Sequence, residues 1–342
     1  MLSPSLLATL AEMLTYCRPH GSIAEGIFRR LYLLSLPDAL EDECQNIHVK
    51  IGTSPILWSS HTDTVHRAQG RQTLRINSKE HTIRLSRRSK RSSNCLGADD
   101  TVGVFLMREM ILRGIPGHYV FHYGEEAGGI GSSGIRRARP ELFNAALYAI
   151  AFDRRGTADV ITHQSFGRCA SDTFARSLAA QLPGYSPSDR GIFTDTANYD
   201  DLIPECTNIS VGYYHEHSRG EYVDYAHVGR LLEALCTLDP SLLICERDPS
   251  VIETYTTYDE LYRYPSSSPS SSRRIWDRYD ASPDPRWLDQ WCHTCEAPIF
   301  DPQCDEDEDD SEWCQCRIVG EDDVPDPLSD EDAQFLRYLR GL

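Results

Sequence analysis

Val120-Phe121-His122-Tyr123-Gly124-Glu125-Glu126-Ala127-Gly128-Gly129-Ile130-Gly131 is an apolar run that ends in two adjacent carboxylates and a glycine-rich turn. Residues 118–123 read as a strand, which delivers Glu125 and Glu126 just past its end. Two carboxylates placed there can do different jobs. One can hold a metal ion while the other, unligated, handles a proton. A Glu-Glu pair alone is most often a solvated turn, so the reading depends on its company along the chain.

Working outward, residues 4–17 and 22–34 read as amphipathic helices, the second capped by Ser22. Residues 47–51 and 55–58 read as strands, and the second runs into Ser59-Ser60-His61-Thr62-Asp63-Thr64-Val65. Residues 72–86 alternate like a hairpin and end in a basic cluster of Arg84, Arg87, Arg88, Lys90 and Arg91. That cluster is either a solvated loop or a patch that attracts acidic substrates. Cys95-Leu96-Gly97-Ala98-Asp99-Asp100 precedes a helix at 101–112, and a strand at 146–152 delivers Asp153. A helix at 170–182, a strand at 207–212 and a helix at 226–238 follow. Strands alternating with helices predict an α/β fold, a three-layer α/β/α sandwich with a mostly parallel mixed sheet. The acidic and histidine motifs fall just past strand ends, where open α/β sheets place their sites.

The chain has 342 residues and a formal charge of −18. Asp301–Leu342 carries fifteen acidic against three basic residues, so twelve of the eighteen excess negative charges sit in that tail. The body is only mildly acidic, which argues against a nucleic-acid partner. Leu6, Leu7, Leu10, Met13 and Leu14 recur at helical spacing and Glu12 interrupts them, so a secretion signal is not expected. No run approaches the ~20 apolar residues that cross a membrane. The twelve cysteines then read as reduced thiols or metal ligands, and a cytoplasmic protein is expected. Composition divides the chain into a catalytic body at 1–246, a Ser/Pro-rich linker at 247–285 and an acidic cysteine-containing tail at 286–342. Cys292, Cys295, Cys314 and Cys316, with Cys304 between, are either a small structural zinc site or free thiols.

The candidate chemistry is spread along the body. His61 and Asp63 are two apart, so in an extended segment both leave the same face. A histidine ligand with a supporting carboxylate has that form. Asp99 starts a helix and is either an N-cap or a carboxylate that bridges two cations. Asp153 is a ligand or a turn residue, and His217 a ligand or an exposed histidine. His215 lies beside it, but the His-Ser-x-x-Glu spacing favours His217. The remaining histidines, His118, His122 and His163, read as packed or exposed rather than functional; substrate contact is the alternative for His163 alone, which lies shortly after Asp153. Together the candidates supply two imidazoles, three metal-binding carboxylates and one spare carboxylate, enough for two zinc ions.

Five ordered segments carry a resemblance. They are His-Thr-Asp-Thr-Val at 61–65, Gly-Ala-Asp-Asp at 97–100, Gly-Glu-Glu-Ala-Gly at 124–128, Phe-Asp-Arg at 152–154 and His-Ser-Arg-Gly-Glu at 217–221. Over roughly residues 5–240 the chain resembles the co-catalytic zinc exopeptidases of clan MH, which include di-zinc aminopeptidases, tripeptidase T and carboxypeptidase G. Only 64 positions separate Asp153 from His217, too few for an inserted dimerisation domain, so it resembles the lidless aminopeptidases. The resemblance implies the zinc-dependent exopeptidase fold and two co-catalytic zinc ions. It implies that His61 and Asp153 hold one ion, Glu126 and His217 the other, and that Asp99 bridges both. It implies that Asp63 supports His61, that Glu125 is the general base, and that the Asp99–Asp100 peptide is cis. The function it implies is removal of N-terminal residues from peptides. An N-acyl amino acid deacylase and a catalytically inactive binding module are the alternatives on the same scaffold.

Overall fold

Alternation along the central strands sets the layers. In strand Ile56–His61, Ile56 and Trp58 join one hydrophobic cluster and Leu57 joins another. In Gly117–His122, Tyr119 and Phe121 face the first cluster and Val120 the second. In Tyr148–Arg154, Tyr148, Ile150 and Phe152 face the first and Ala149 the second. Successive strand side chains leave opposite faces. A strand apolar on both faces must therefore be covered on both. The first cluster takes in helices Pro4–Met13, Ile23–Tyr32, Ala98–Leu112, Asp172–Ala179 and Tyr225–Cys236. The second takes in helix Ile130–Ala138 and the short turns Pro140–Phe143 and Asp195–Tyr199. The result is a three-layer α/β/α sandwich.

The computed structural model describes residues 1–164, 167–251 and the paired two-residue strands Trp291–Cys292 and Ala297–Pro298. The chain divides into two units; the sandwich belongs to the first and that last pair to the second. Most of the 247–285 linker, the acidic tail, and Cys295, Cys304, Cys314 and Cys316 of the suggested zinc element lie outside the described residues.

The main sheet has eight strands, in the order Ser186–Ser188, Asp159–Ile161, Glu205–Ser210, Tyr148–Arg154, Ile56–His61, Gly117–His122, Ile47–Ile51, Leu40–Glu41. The four middle strands, Glu205–Ser210 through Gly117–His122, run parallel to one another. Ile47–Ile51 and Asp159–Ile161 join antiparallel on either side. The sheet is thus mixed with a parallel centre, as the element order predicts. A smaller antiparallel sheet runs Tyr213–Tyr214, Tyr222–Asp224, Thr82–Leu85, Leu74–Asn77. Its last two strands are the hairpin expected at 72–86, where the Arg84 guanidinium lies 4.0 Å over the Tyr222 ring. No helix among the described residues is long and apolar enough to cross a membrane.

Boundaries differ in instructive places. Ser22 caps its helix as expected, its hydroxyl accepting from the Glu25 N–H at 3.1 Å. The first helix stops at Met13, because Tyr16–Cys17 pairs as a strand with Gly70–Arg71. Strand Ile56–His61 extends beyond Trp58, so His61 is its last residue. The glycine-rich stretch after Glu126 is not only a turn, since helix Ile130–Ala138 starts at its end.

Candidate active site

The parallel centre of the sheet points three strand ends at one place. His61 ends its strand, Glu125 and Glu126 follow Gly117–His122, and Asp153 is the next-to-last residue of Tyr148–Arg154. Asp99 comes from the start of helix Ala98–Leu112, where the Asp99–Asp100 peptide is cis. His217 comes from the loop between Tyr213–Tyr214 and Tyr222–Asp224.

All the expected site residues meet. Asp99 lies between the two histidines: its Oδ1 is 3.0 Å from His61 Nε2 and its Oδ2 is 3.2 Å from His217 Nε2. Glu126 Oε1 is 3.0 Å from His217 Nε2, and Asp153 Oδ1 is 3.7 Å from His61 Nε2. Glu125 Oε2 stands at 4.0 Å from His61 Nε2. Asp99 faces the imidazoles rather than acting as a helix cap. Three overlapping sets have ligand atoms within 4.8 Å of one another: His61, Glu125 and Glu126; His61, Asp100 and Asp153; Asp99, Glu126 and His217.

Buried polar groups hold these side chains in place. Asp63, fully buried, accepts from the Glu125 N–H at 3.1 Å and the Glu126 N–H at 3.2 Å. Its backbone oxygen lies 3.1 Å from His61 Nδ1 and its Oδ1 3.4 Å away. A proton on Nδ1 facing Asp63 leaves Nε2 free as a ligand atom. Asn208 brackets Asp153, accepting from its N–H at 2.9 Å and donating to its carbonyl at 2.5 Å. The buried Tyr213 hydroxyl donates to Asp153 Oδ1 at 3.1 Å. Asp100 is occupied with backbone, accepting from the His61 N–H at 3.2 Å and the Gly103 N–H at 2.9 Å.

The electrostatics are those of a crowded anionic pocket. Burial raises Glu125 well above the usual carboxyl range; His61 opposes this, and Asp153, Asp195 and Glu126 add to it. Burial and the Asp99 charge push Asp153 up to about 7. Burial would raise Asp99 too, but the bonds from His217 and His61 outweigh it and hold Asp99 below its ordinary value. Bonds to Asp99 and Glu126 push His217 up to about 11. Burial pulls His61 down, yet contacts with Asp153, Asp63 and Asp99 raise it well above its usual range. Carboxylates this close together need positive charge between them. The cations lining the cleft are already engaged, Arg154 with Asp159 and Arg155 with Glu216. Imidazole and carboxylate donors around one focus suit divalent metal ions.

The pocket opens into a cleft of about 290 Å³, lined beyond the cluster by Ile161, Gln164, Ile192, Phe193 and Tyr213 among others. His163 faces a separate depression with Arg168, Arg176 and Arg190, and its neighbour Gln164 lines the cleft instead. Strand alternation sends the two to different sides. Asp100, Gln164, Asn208 and Tyr213 carry no site role in the sequence pattern alone. Asn208 and Tyr213 do follow the 207–212 strand prediction, but only their distance from Asp153 reveals what they do.

No family model matches the chain, and no curated protein matches it. Solved structures do. An aminopeptidase PepT from Bacillus cereus is 14% identical over 69% of this chain and 98% of its own, with a TM-score of 0.56. A tripeptidase from Staphylococcus aureus is 15% identical over 69% of this chain and 97% of its own, with a TM-score of 0.51. The TET1 peptidase of Pyrococcus horikoshii, which can assemble into a tetrahedron or a large octahedral shell, is 15% identical over 68% of this chain and 99% of its own, at 0.51. At these identities the likeness is one of fold. The chain shares the α/β/α fold of these peptidases.

Proposed function

We propose that the chain is a di-zinc aminopeptidase that removes N-terminal residues from peptides, its catalytic domain spanning 1–246. One observation carries the reading: Asp99 lies with one oxygen on each histidine, while Glu125 stands beside the pair. His61 and Asp153 would hold one ion, Glu126 and His217 the other, and Asp99 both. Bound there, the ions supply Lewis acidity that acidifies a water and polarises a carbonyl.

The rest falls to the chain's own side chains. Glu125 takes a proton from the attacking water and returns it to the leaving amine, so the peptide C–N bond is exchanged for C–O with no other reactant. Burial favours that proton on Glu125 once taken. Asp63 fixes Glu125 and Glu126 through their backbone N–H groups, so base and ligand keep one spacing. The acid-rich cleft favours a substrate with a free α-ammonium, and Ile161, Ile192 and Phe193 offer an apolar wall for its side chain. The aminopeptidase and tripeptidase among the similar structures agree with this substrate class. The seven free cysteines among the described residues, Cys17 to Cys245, support a reducing cytoplasmic setting.

A deacylase of N-acyl amino acids would use the same ions on substrates without the free amine, and an inactive binding module would not need Glu125. A panel of aminoacyl chromogenic amides and N-acyl amino acids, with and without chelator, separates these readings. Chelator-sensitive cleavage of the amides alone is expected. Glu125→Gln should keep both ions and lose turnover by about 10²–10⁴-fold. Near-normal turnover in that variant would remove Glu125 from its role.

A further inference from the structure

We propose that Glu221 is a positioning residue that registers the two halves of the metal cluster. It clamps the turn bearing Asp99 to the loop bearing His217, and so sets the affinity for the ion on the His217 side. The inference rests on the di-zinc reading above and assigns a job to the last residue of the His-Ser-x-x-Glu motif.

Glu221 is 1% exposed and does not line the cleft. Its carboxylate instead accepts four successive backbone N–H groups. Leu96 and Gly97 donate to Oε2 at 2.7 and 2.9 Å, and Ala98 and Asp99 to Oε1 at 2.8 and 3.1 Å. These N–H groups enter helix Ala98–Leu112, whose first donors have no partner within the helix. Its carboxyl also meets the favourable end of the helix dipole, which with the four N–H bonds opposes the rise that burial and the Asp99 charge impose on it. The clamp thus fixes the backbone of Asp99, the one carboxylate in contact with both histidines.

The other end of the clamp is the His217 loop. Residues 215–221 connect Tyr213–Tyr214 to Tyr222–Asp224, which pair antiparallel. His215 and His217 both have left-handed backbones, at φ 56° and 63°, which β-carbon-bearing residues adopt only when the surroundings impose it. The His217 side chain is 48% exposed, so packing alone does not immobilise it. Arg219 Nε reaches the Ser93 carbonyl at 3.3 Å, a second and weaker tether. By contrast, the His61 side has its own supports, Asp63 under His61 and Asn208 with Tyr213 around Asp153. Loosening Glu221 should therefore weaken the ion on the His217 side more than the one on the His61 side, which keeps these supports when Asp99 shifts.

Glu221→Gln keeps the shape but puts an amide N–H₂ against backbone N–H groups that need an acceptor. The test titrates metal-depleted wild-type protein and E221Q with zinc in competition with a chelator. It is repeated with cobalt, whose visible absorption reports each ion's coordination. Expected are two ions in wild type, and in E221Q one ion near wild-type affinity and one about 10–100-fold weaker. If E221Q does not fold, E221D is measured; it keeps the charge but draws the loop back, and the same one-sided loss is expected. Two ions with unchanged affinities in E221Q, or equal loss at both, overturns the inference and leaves the di-zinc reading intact. Wild-type protein that takes up no second ion overturns both.

Discussion

Asp63 is the residue on which the cluster's spacing depends. A carboxylate that only oriented His61 could be replaced by any acceptor, but this one also receives the N–H groups of Glu125 and Glu126. Burial would raise it, yet its contacts with His61 hold it below the usual carboxylate range. Asp63→Asn turns one acceptor oxygen into a donor facing an N–H, at a fully buried position. The expected cost is about 2–3 kcal/mol, read by urea denaturation of metal-depleted protein. Turnover should fall by at least about tenfold, since the base moves with its backbone. Unchanged stability and turnover would mean the two N–H contacts are incidental. Tyr213→Phe is the gentler companion. It removes only the hydroxyl donated to Asp153 Oδ1 and should weaken the ion on the His61 side by about tenfold, the mirror image of the Glu221 variant.

At the scale of elements, the turn ahead of helix Ala98–Leu112 shows why some of the site was legible and some was not. The motif Gly97-Ala98-Asp99-Asp100 stands out in the sequence because the backbone there is demanding. Gly97 has φ +70°, and a β-carbon on it would sit 2.6 Å from His66 Cε1. Gly97→Ala should therefore lose about 2 kcal/mol or more from the left-handed backbone and the clash together. It should also lower metal uptake, because the N–H that Gly97 gives Glu221 moves with it. Thermal denaturation and metal analysis of one preparation test both. The strands were legible for a similar reason: Ile56-Leu57-Trp58 and Val120-Phe121 are apolar on both faces, which only a covered central strand requires. Short edge strands such as Ser186–Ser188 bury too little to leave a pattern. Helix Ile130–Ala138 hid behind its glycines, and buries only Gly131, Ser132 and Ile135. Contacts between distant segments, such as Asn208 with Asp153 or Glu221 with Leu96, have no local signature at all.

For the whole molecule, the parallel centre of the sheet gathers the ligands at one edge, and the antiparallel flank on the Ile47–Ile51 side carries a different polar network. His48 joins Asp42 at 2.8 Å to His118 at 2.9 Å. Burial, then the neighbouring His48 and Lys50, push His118 down to about 3. The unfolded chain takes up that proton near pH 6.5, whereas the folded one refuses it until near pH 3. Between those values the unfolded state binds more protons, so this histidine's contribution is full above pH 6.5 and is lost as pH falls. Glu125 and Asp153, both held above the usual carboxyl range, titrate in the opposite sense, so total stability against pH would mix the two. A difference measurement isolates the histidine. His118→Gln can still donate to His48 Nδ1 but does not titrate. Wild type should lose about 2 kcal/mol relative to this variant between pH 7 and pH 5, with the gap near zero at pH 8. A gap that stays constant with pH would place the His118 ring in contact with water and remove the network from the account of acid stability.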